Sequence, residues 1–432
     1  QQIETFSIGQ DQTLDLQIAQ YDIIGSIAHS RMLAKVGLIS TEEQAQLATE
    51  LKKLLHDAQE NQLVIQQGIE DIHSQIELIL IQKLGDTGKK IHTARSRNDQ
   101  VLLDLRLFFR AEIKEIVTLT ETLFTTLQTL SEEHKEHLLP GYTHLQMAMV
   151  SSFGLWFGAF AESLADDLQL LLAAYKLVNQ NPLGSAAGYG TSLPIDRSLT
   201  TALLGFEDLS YNVVHAQLGR GKTELQLSFA MAGLSQTVGK LATDVCLFMN
   251  PGFAYVGLPD NFTTGSSIMP HKKNPDIFEL VRGRCNQIMA LPGSIIAMTT
   301  NLPSGYHRDF QLLKETIFPA IQNLKTVLSI TNHGIENITI NKQSVDRGQH
   351  QFLFTVEAVN DLVKADVPFR EAYGIISKQV EAGTFHYDKK INHSHEGSLG
   401  NLCTAQIKNK FAKIYAQFQF DKVAEAMDKL IS

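Results

Sequence analysis

Residues 265–279 read Gly-Ser-Ser-Ile-Met-Pro-His-Lys-Lys-Asn-Pro-Asp-Ile-Phe-Glu, a stretch that packs two hydroxyls, two ammonium groups and an amide between two prolines or just before them. Gly265 allows backbone angles that other residues avoid. Pro270 and Pro275 stiffen the segment and delay a helix until about Asp276. The helix opening there turns its free N–H groups and positive end toward the loop. Such a loop can hold an anion and lower the pKa of a hydroxyl. The plainer alternative is a solvated surface loop, which is disfavoured because chemistry concentrates on loops held by rigid elements.

Four other polar loops share this character. His92-Thr93-Ala94-Arg95-Ser96-Arg97-Asn98-Asp99-Gln100 offers two guanidinium groups that can grip a carboxylate bidentately, although Ser96 and Asn98 are equally good helix caps. Pro140-Gly141-Tyr142-Thr143-His144-Leu145-Gln146 places in a turn a histidine able to carry a proton near neutral pH; taken alone it would more often be an ordinary surface histidine. Leu183-Gly184-Ser185-Ala186-Ala187-Gly188-Tyr189-Gly190 is a small-residue loop that a ligand or another backbone could approach closely. In Tyr306-His307-Arg308-Asp309-Phe310-Gln311-Leu312-Leu313-Lys314, Gln311 and Lys314 are three apart and project from one helix face toward whatever Tyr306 borders. An exposed helix start is the alternative there.

Other chemistries lack their residues. Glu70-Asp71-Ile72-His73 has no second histidine or carboxylate at helix spacing to complete a metal set, and there is no G-x-S-x-G elbow, P-loop or dinucleotide fingerprint.

The elements that must position these loops are helices. Apolar residues recur at helical spacing over 18–36, 72–84, 97–138, 151–180, 221–249, 276–300 and 310–333, and Ser40-Thr41-Glu42-Glu43 forms a capping box. Strand signals are nearly missing. The pattern predicts an all-α chain in three lobes, 1–98, 99–338 and 339–432, with a central bundle of long helices. Several of these helices are apolar all round and charged residues are only 19% of the chain, which predicts burial against other subunits. A net charge of −9 without a long basic run argues against nucleic acid or an anionic membrane as partner. Three cysteines without a C-x-x-C pair, no secretory leader and no membrane-length apolar run predict a soluble, cytoplasmic chain with free thiols.

Taken together, these loops resemble the fumarase/aspartase superfamily. Its pattern G-S-S-x-x-P-x-K-x-N is matched at Gly265, Ser266, Ser267, Pro270, Lys272 and Asn274. Arg95 through Val101, Gly141 through Gln146, Glu70 through His73 and Gln311 with Lys314-Glu315 resemble its argininosuccinate-cleaving branch, over a span from Tyr21-Asp22 to at least residue 320. The resemblance implies an all-helical homotetramer whose active sites each combine loops of three subunits, with no cofactor and no metal. It implies elimination of fumarate from argininosuccinate, releasing arginine. By resemblance Ser266 is the base, Lys272 and Asn274 bind the carboxylate, His144 handles the second proton or orients the acid, and Glu279 pairs with that histidine. Ser96, Asn98 and Thr143 then bind the succinyl end, Ser26, Tyr306, Gln311 and Lys314 hold the rest of the substrate, and Arg97 is a further substrate-binding residue. On chemistry alone His144 remains a second candidate for the base, since a serine hydroxyl needs strong activation.

The chain departs from this pattern in places. Ala94 stands where a glycine is usual, Gly219-Arg220-Gly221-Lys222-Thr223-Glu224 replaces an acidic segment and so inherits no role, and Met147 and Met149 replace polar residues or proline. The start of the chain also lies inside the usual N-terminus, which implies trimming. Two other readings compete: a lyase for another fumarate-yielding substrate such as adenylosuccinate, and a crystallin-like structural protein without activity.

Overall fold

A computed structural model describes residues 2–432. Its frame is a set of long helices: Arg97–Glu133, Phe153–Val178, Lys222–Phe248, Asp276–Met289 and Leu312–Glu336, which bury their apolar faces in one continuous core. Phe108, Phe109 and Phe318 meet at its centre, with Phe108 and Phe318 ring centroids 4.4 Å apart. A second core gathers Ala19–Lys35, Thr41–Gln59 and Ile72–Leu84 against the N-terminal part of the longest helix. Small separate clusters around Ala372 and Phe354 hold residues 345–399, whereas the last two helices, Thr404–Tyr415 and Phe420–Ile431, pack back onto the main and second cores. Among the described residues no helix is long and apolar enough to cross a membrane.

Local signals set most boundaries. The capping box at Ser40 is present, with Glu43 N–H donating to the Ser40 hydroxyl and Ser40 N–H to the Glu43 carboxylate. Ser96 caps Arg97–Glu133 in the same way with Asp99. Gly85 ends Ile72–Leu84 at φ 58°.

Two expectations need correction. The pattern over 97–138 stops being helical at Glu133, and Leu138–Thr143 pairs antiparallel with Gln146–Ser152. Pro140 cannot continue a helix, and hydrogen bonding across the hairpin replaces it. The stretch 276–300 is two helices, Asp276–Met289 and Leu291–Thr299, because Pro292 cannot donate back into the first helix and instead fits the first turn of a new one. The remaining strands are two-residue pairs, so the architecture is all-α.

Candidate functional site

A cavity of about 360 Å³ opens where the start of Arg97–Glu133 meets the start of Leu312–Glu336. Arg97 and Asn98 line it from one side, Tyr306, Gln311 and Lys314 from the other, and Glu70, Asp71 and His73 close a third. Residues far apart in sequence, from two of the polar loops and from the 70–73 stretch, thus share one polar wall.

Each is held by identifiable contacts. Arg97 donates to Gln100 (2.9 Å) and Ser74 (3.1 Å), and its Nε lies 3.4 Å from Asp71. Lys314 is buried, its ammonium 2.5 Å from Asp15 and 2.8 Å from Asp11. Burial alone would lower its pKa, but the Asp15 and Asp11 carboxylates outweigh it and raise it. The Gln311 amide donates to the carbonyls of Ser7 and Ile8, each at 3.0 Å. Arg308 pairs with Glu70 at 2.7 Å and donates to Ser7 O at 3.1 Å. The N-terminal residues therefore form part of the cavity wall, a role that no local motif announced.

Behind this wall lies a buried charge network. His73 Nδ1 is 3.3 Å from Asp22 and 3.4 Å from Asp104, and Gln100 donates to Asp22 at 2.6 Å. Burial pushes the Asp22 carboxyl up, yet His73 and Arg95 hold it at about 2. Burial, and then the Asp22 charge, push the Asp104 carboxyl well above its ordinary value, against the pull of Arg95. The ligand atoms of Asp22, His73 and Asp104 lie within 4.8 Å of one another. They come from three different helices, which is why spacing along one helix did not disclose them. Two carboxyl groups whose pKa values are driven in opposite directions thus flank His73 at the cavity edge.

Ser26 lies in this layer. It is buried, accepts from Arg95 at 3.0 Å, and faces a small void beside His73 rather than the main cavity. The Ser96 hydroxyl is taken up by the Asn98 N–H (3.3 Å), so it acts here as a cap. The small-residue loop 183–190 wraps onto the same helix start: Gly184 and Ala186 N–H donate to Asp99 at 2.9 and 2.8 Å.

The other candidates stand apart from this cavity. Thr143 and His144 are exposed at the tip of the hairpin, where His144 and Leu145 form a two-residue turn with φ 55° and 59°. Such a turn normally takes Asn-Gly, so two side chains in the left-handed region mark a strained tip. Met147 packs against the cluster around Phe354, which explains an apolar residue at that position.

The 265–279 loop is pinched at its neck, where Thr264 and Asn274 exchange backbone bonds (3.3 and 2.8 Å) and Thr264 N–H donates to Asp276 at 3.1 Å. Inside it, the Ser266 hydroxyl oxygen accepts from Ile268 and Met269 N–H at 3.3 and 3.2 Å. Two donors on that oxygen favour its ionised form. Lys272 and Glu279 point into solvent, Glu279 lying 3.9 Å from Arg282. Among the described residues no hydrogen bond or ion pair joins Ser266 or Glu279 to His144.

Arg220 was passed over in the sequence. Its guanidinium lies over the rings of Tyr306 (5.4 Å) and Phe310 (5.7 Å), on the cavity wall. The signal available was an arginine between two glycines just ahead of a long helix.

The class of the chain is given by its sequence over most of its length: a family profile described as "Lyase" matches residues 6–290. The argininosuccinate lyase of Parabacteroides distasonis is 52% identical over 430 residues, covering 100% of this chain and 96% of that protein. That of Bacteroides fragilis is 52% identical over 429 residues, covering 99% and 96%. The chain belongs to the argininosuccinate lyase family. A crystal structure of EDDS lyase in complex with formate has the same fold, with a TM-score of 0.80 at 22% identity, covering 96% of this chain and 91% of that one.

Proposed function

We propose that the chain cleaves argininosuccinate to arginine and fumarate by base-catalysed elimination, within arginine biosynthesis. The observation that carries this is the single cavity that brings Arg97 and Asn98 to Tyr306, Gln311 and Lys314. A base takes the proton beside a carboxylate of the succinyl half, whose electrons form the new double bond as the carbon–nitrogen bond breaks. The departing guanidino nitrogen then receives a proton. The demanding species is the doubly charged intermediate, which preorganised donors stabilise best.

Ser266 is assigned as the base, supported by the two N–H groups on its oxygen. Lys272 and Asn274 clamp the carboxylate, His144 handles the second proton with Glu279 as its partner, and Thr143 joins Ser96, Arg97 and Asn98 at the succinyl end. Tyr306, Gln311 and Lys314 serve the amino-acid end, with Ser26 supporting the layer behind that wall through Arg95.

The hairpin tip and the 265–279 loop contribute nothing to the cavity wall of their own chain. The reading therefore requires a homotetramer in which neighbouring subunits supply those loops. Exposed Leu170, Phe229, Leu247 and Ile296 on the central helices provide apolar surface for that assembly. Free cysteines fit a cytoplasmic setting.

Fumarate formation followed in parallel with argininosuccinate, adenylosuccinate, malate and aspartate tests the reading. Release from argininosuccinate alone is expected; release only from adenylosuccinate overturns it.

A further inference from the structure

Among the described residues, the cations on the cavity wall are matched by carboxylates, with one exception. Lys314 pairs with Asp11 and Asp15, Arg308 with Glu70, and Arg97 with Asp71. Arg220 is only 5% exposed, yet among the described residues its guanidinium makes no hydrogen bond and no ion pair, and its Nε is buried without a partner. A guanidinium removed from water without an anion is costly, and aromatic faces replace only part of its hydration. The local backbone holds it there. Gly221, at φ 79°, could carry no side chain, since a Cβ would lie 2.6 Å from Thr299 Cγ2; one on Gly219 would lie 3.0 Å from Ala216 O. The Gly221 N–H is capped by Glu224 at 2.8 Å, which fixes the chain immediately after the arginine.

We propose that Arg220 receives the α-carboxylate of the amino-acid end of the substrate and makes that carboxylate a condition of tight binding. The assignment rests on the function proposed above. A planar fork lying over the Tyr306 ring can pair bidentately with a carboxylate through its edge, and Gln311 lies on the same wall. Lys314, already neutralised by two carboxylates, is the weaker candidate for that role.

The test compares arginine with agmatine, which lacks only the carboxylate, as ligands of the purified enzyme, by calorimetry and as inhibitors of fumarate release. The wild type is expected to bind arginine about 30-fold or more tightly than agmatine. In R220Q the arginine affinity falls to the agmatine level while agmatine affinity holds, and KM for argininosuccinate rises far more than kcat falls; R220K recovers part of the loss. Equal wild-type affinity for the two ligands overturns the proposal, as does an equal loss of both in R220Q. If R220Q does not fold, the wild-type comparison and R220K still decide. A wild type that discriminates neither ligand but still cleaves argininosuccinate removes only the Arg220 assignment; one that releases no fumarate removes the functional reading and this assignment with it.

Discussion

Lys314 and Asp15 form a buried ion pair, 2.5 Å between ammonium and carboxylate, across 299 residues of sequence. It fastens the N-terminal segment over the cavity and leaves Lys314 fixed in place. Asp15→Asn removes one partner of a pair from which water is excluded, while Asp11 at 2.8 Å retains part of the compensation. The expected cost is about 3 kcal/mol of stability, read from denaturant unfolding. KM for the substrate should rise as well, because the wall that Lys314 completes loosens. Unchanged unfolding would mean that the pair contributes nothing net.

Ser266→Ala should abolish turnover, by about 10²-fold or more in kcat, while substrate binding persists. The oxygen that accepts from Ile268 and Met269 N–H is the atom removed, and the neck of the loop at Thr264 and Asn274 is untouched. Steady-state kinetics together with calorimetric binding separate the two effects. Turnover retained above a few per cent moves the base role to His144.

These sites differ in how far the sequence disclosed them. The capping box at Ser40 and the cap at Ser96 were legible because a cap involves residues within one turn of each other along the chain. Gln311 and Lys314 were legible for the same reason. The hairpin Leu138–Ser152 was not: its turn is His144-Leu145, without the Asn-Gly signal that normally marks such a tip. Nor was the network of Asp22, His73 and Asp104, assembled by packing three helices, or the coverage of Gln311 and Lys314 by residues 7–15. Arg220 was missed because its meaning lies in an absent counter-charge, which only a folded wall reveals.

Ala94 illustrates a departure whose cause the backbone supplies. It sits at φ 64°, in the left-handed region where glycine is unstrained, immediately ahead of Arg95 and Ser96. Ala94→Gly should relieve that strain, offset in part by the freedom glycine has when unfolded, for a net gain of up to about 1 kcal/mol. Thermal midpoints of the two proteins measure it, with kcat and KM expected to hold. A lower midpoint would show that the methyl group's packing outweighs the strain.

Asp167 predicts a pH dependence. It is buried on the helix Phe153–Val178, where burial and the neighbouring Asp166 push its carboxyl from 3.8 up to about 6 against a hydrogen bond from Thr237. A folded-state pKa above the unfolded one means that the folded chain holds the proton more tightly. Stability from this group is therefore fully present below about pH 4 and is lost as pH rises through about 6, a change of about 3 kcal/mol. Asp167→Asn keeps the shape and a polar partner for Thr237 but cannot ionise. Urea unfolding at pH 4 and pH 8 should show a smaller decline for the variant, which becomes the more stable protein at pH 8. A pH slope identical to that of the parent would place the titration of Asp167 near the ordinary carboxylate range, and with it an access of water to this part of the helix that its burial argues against.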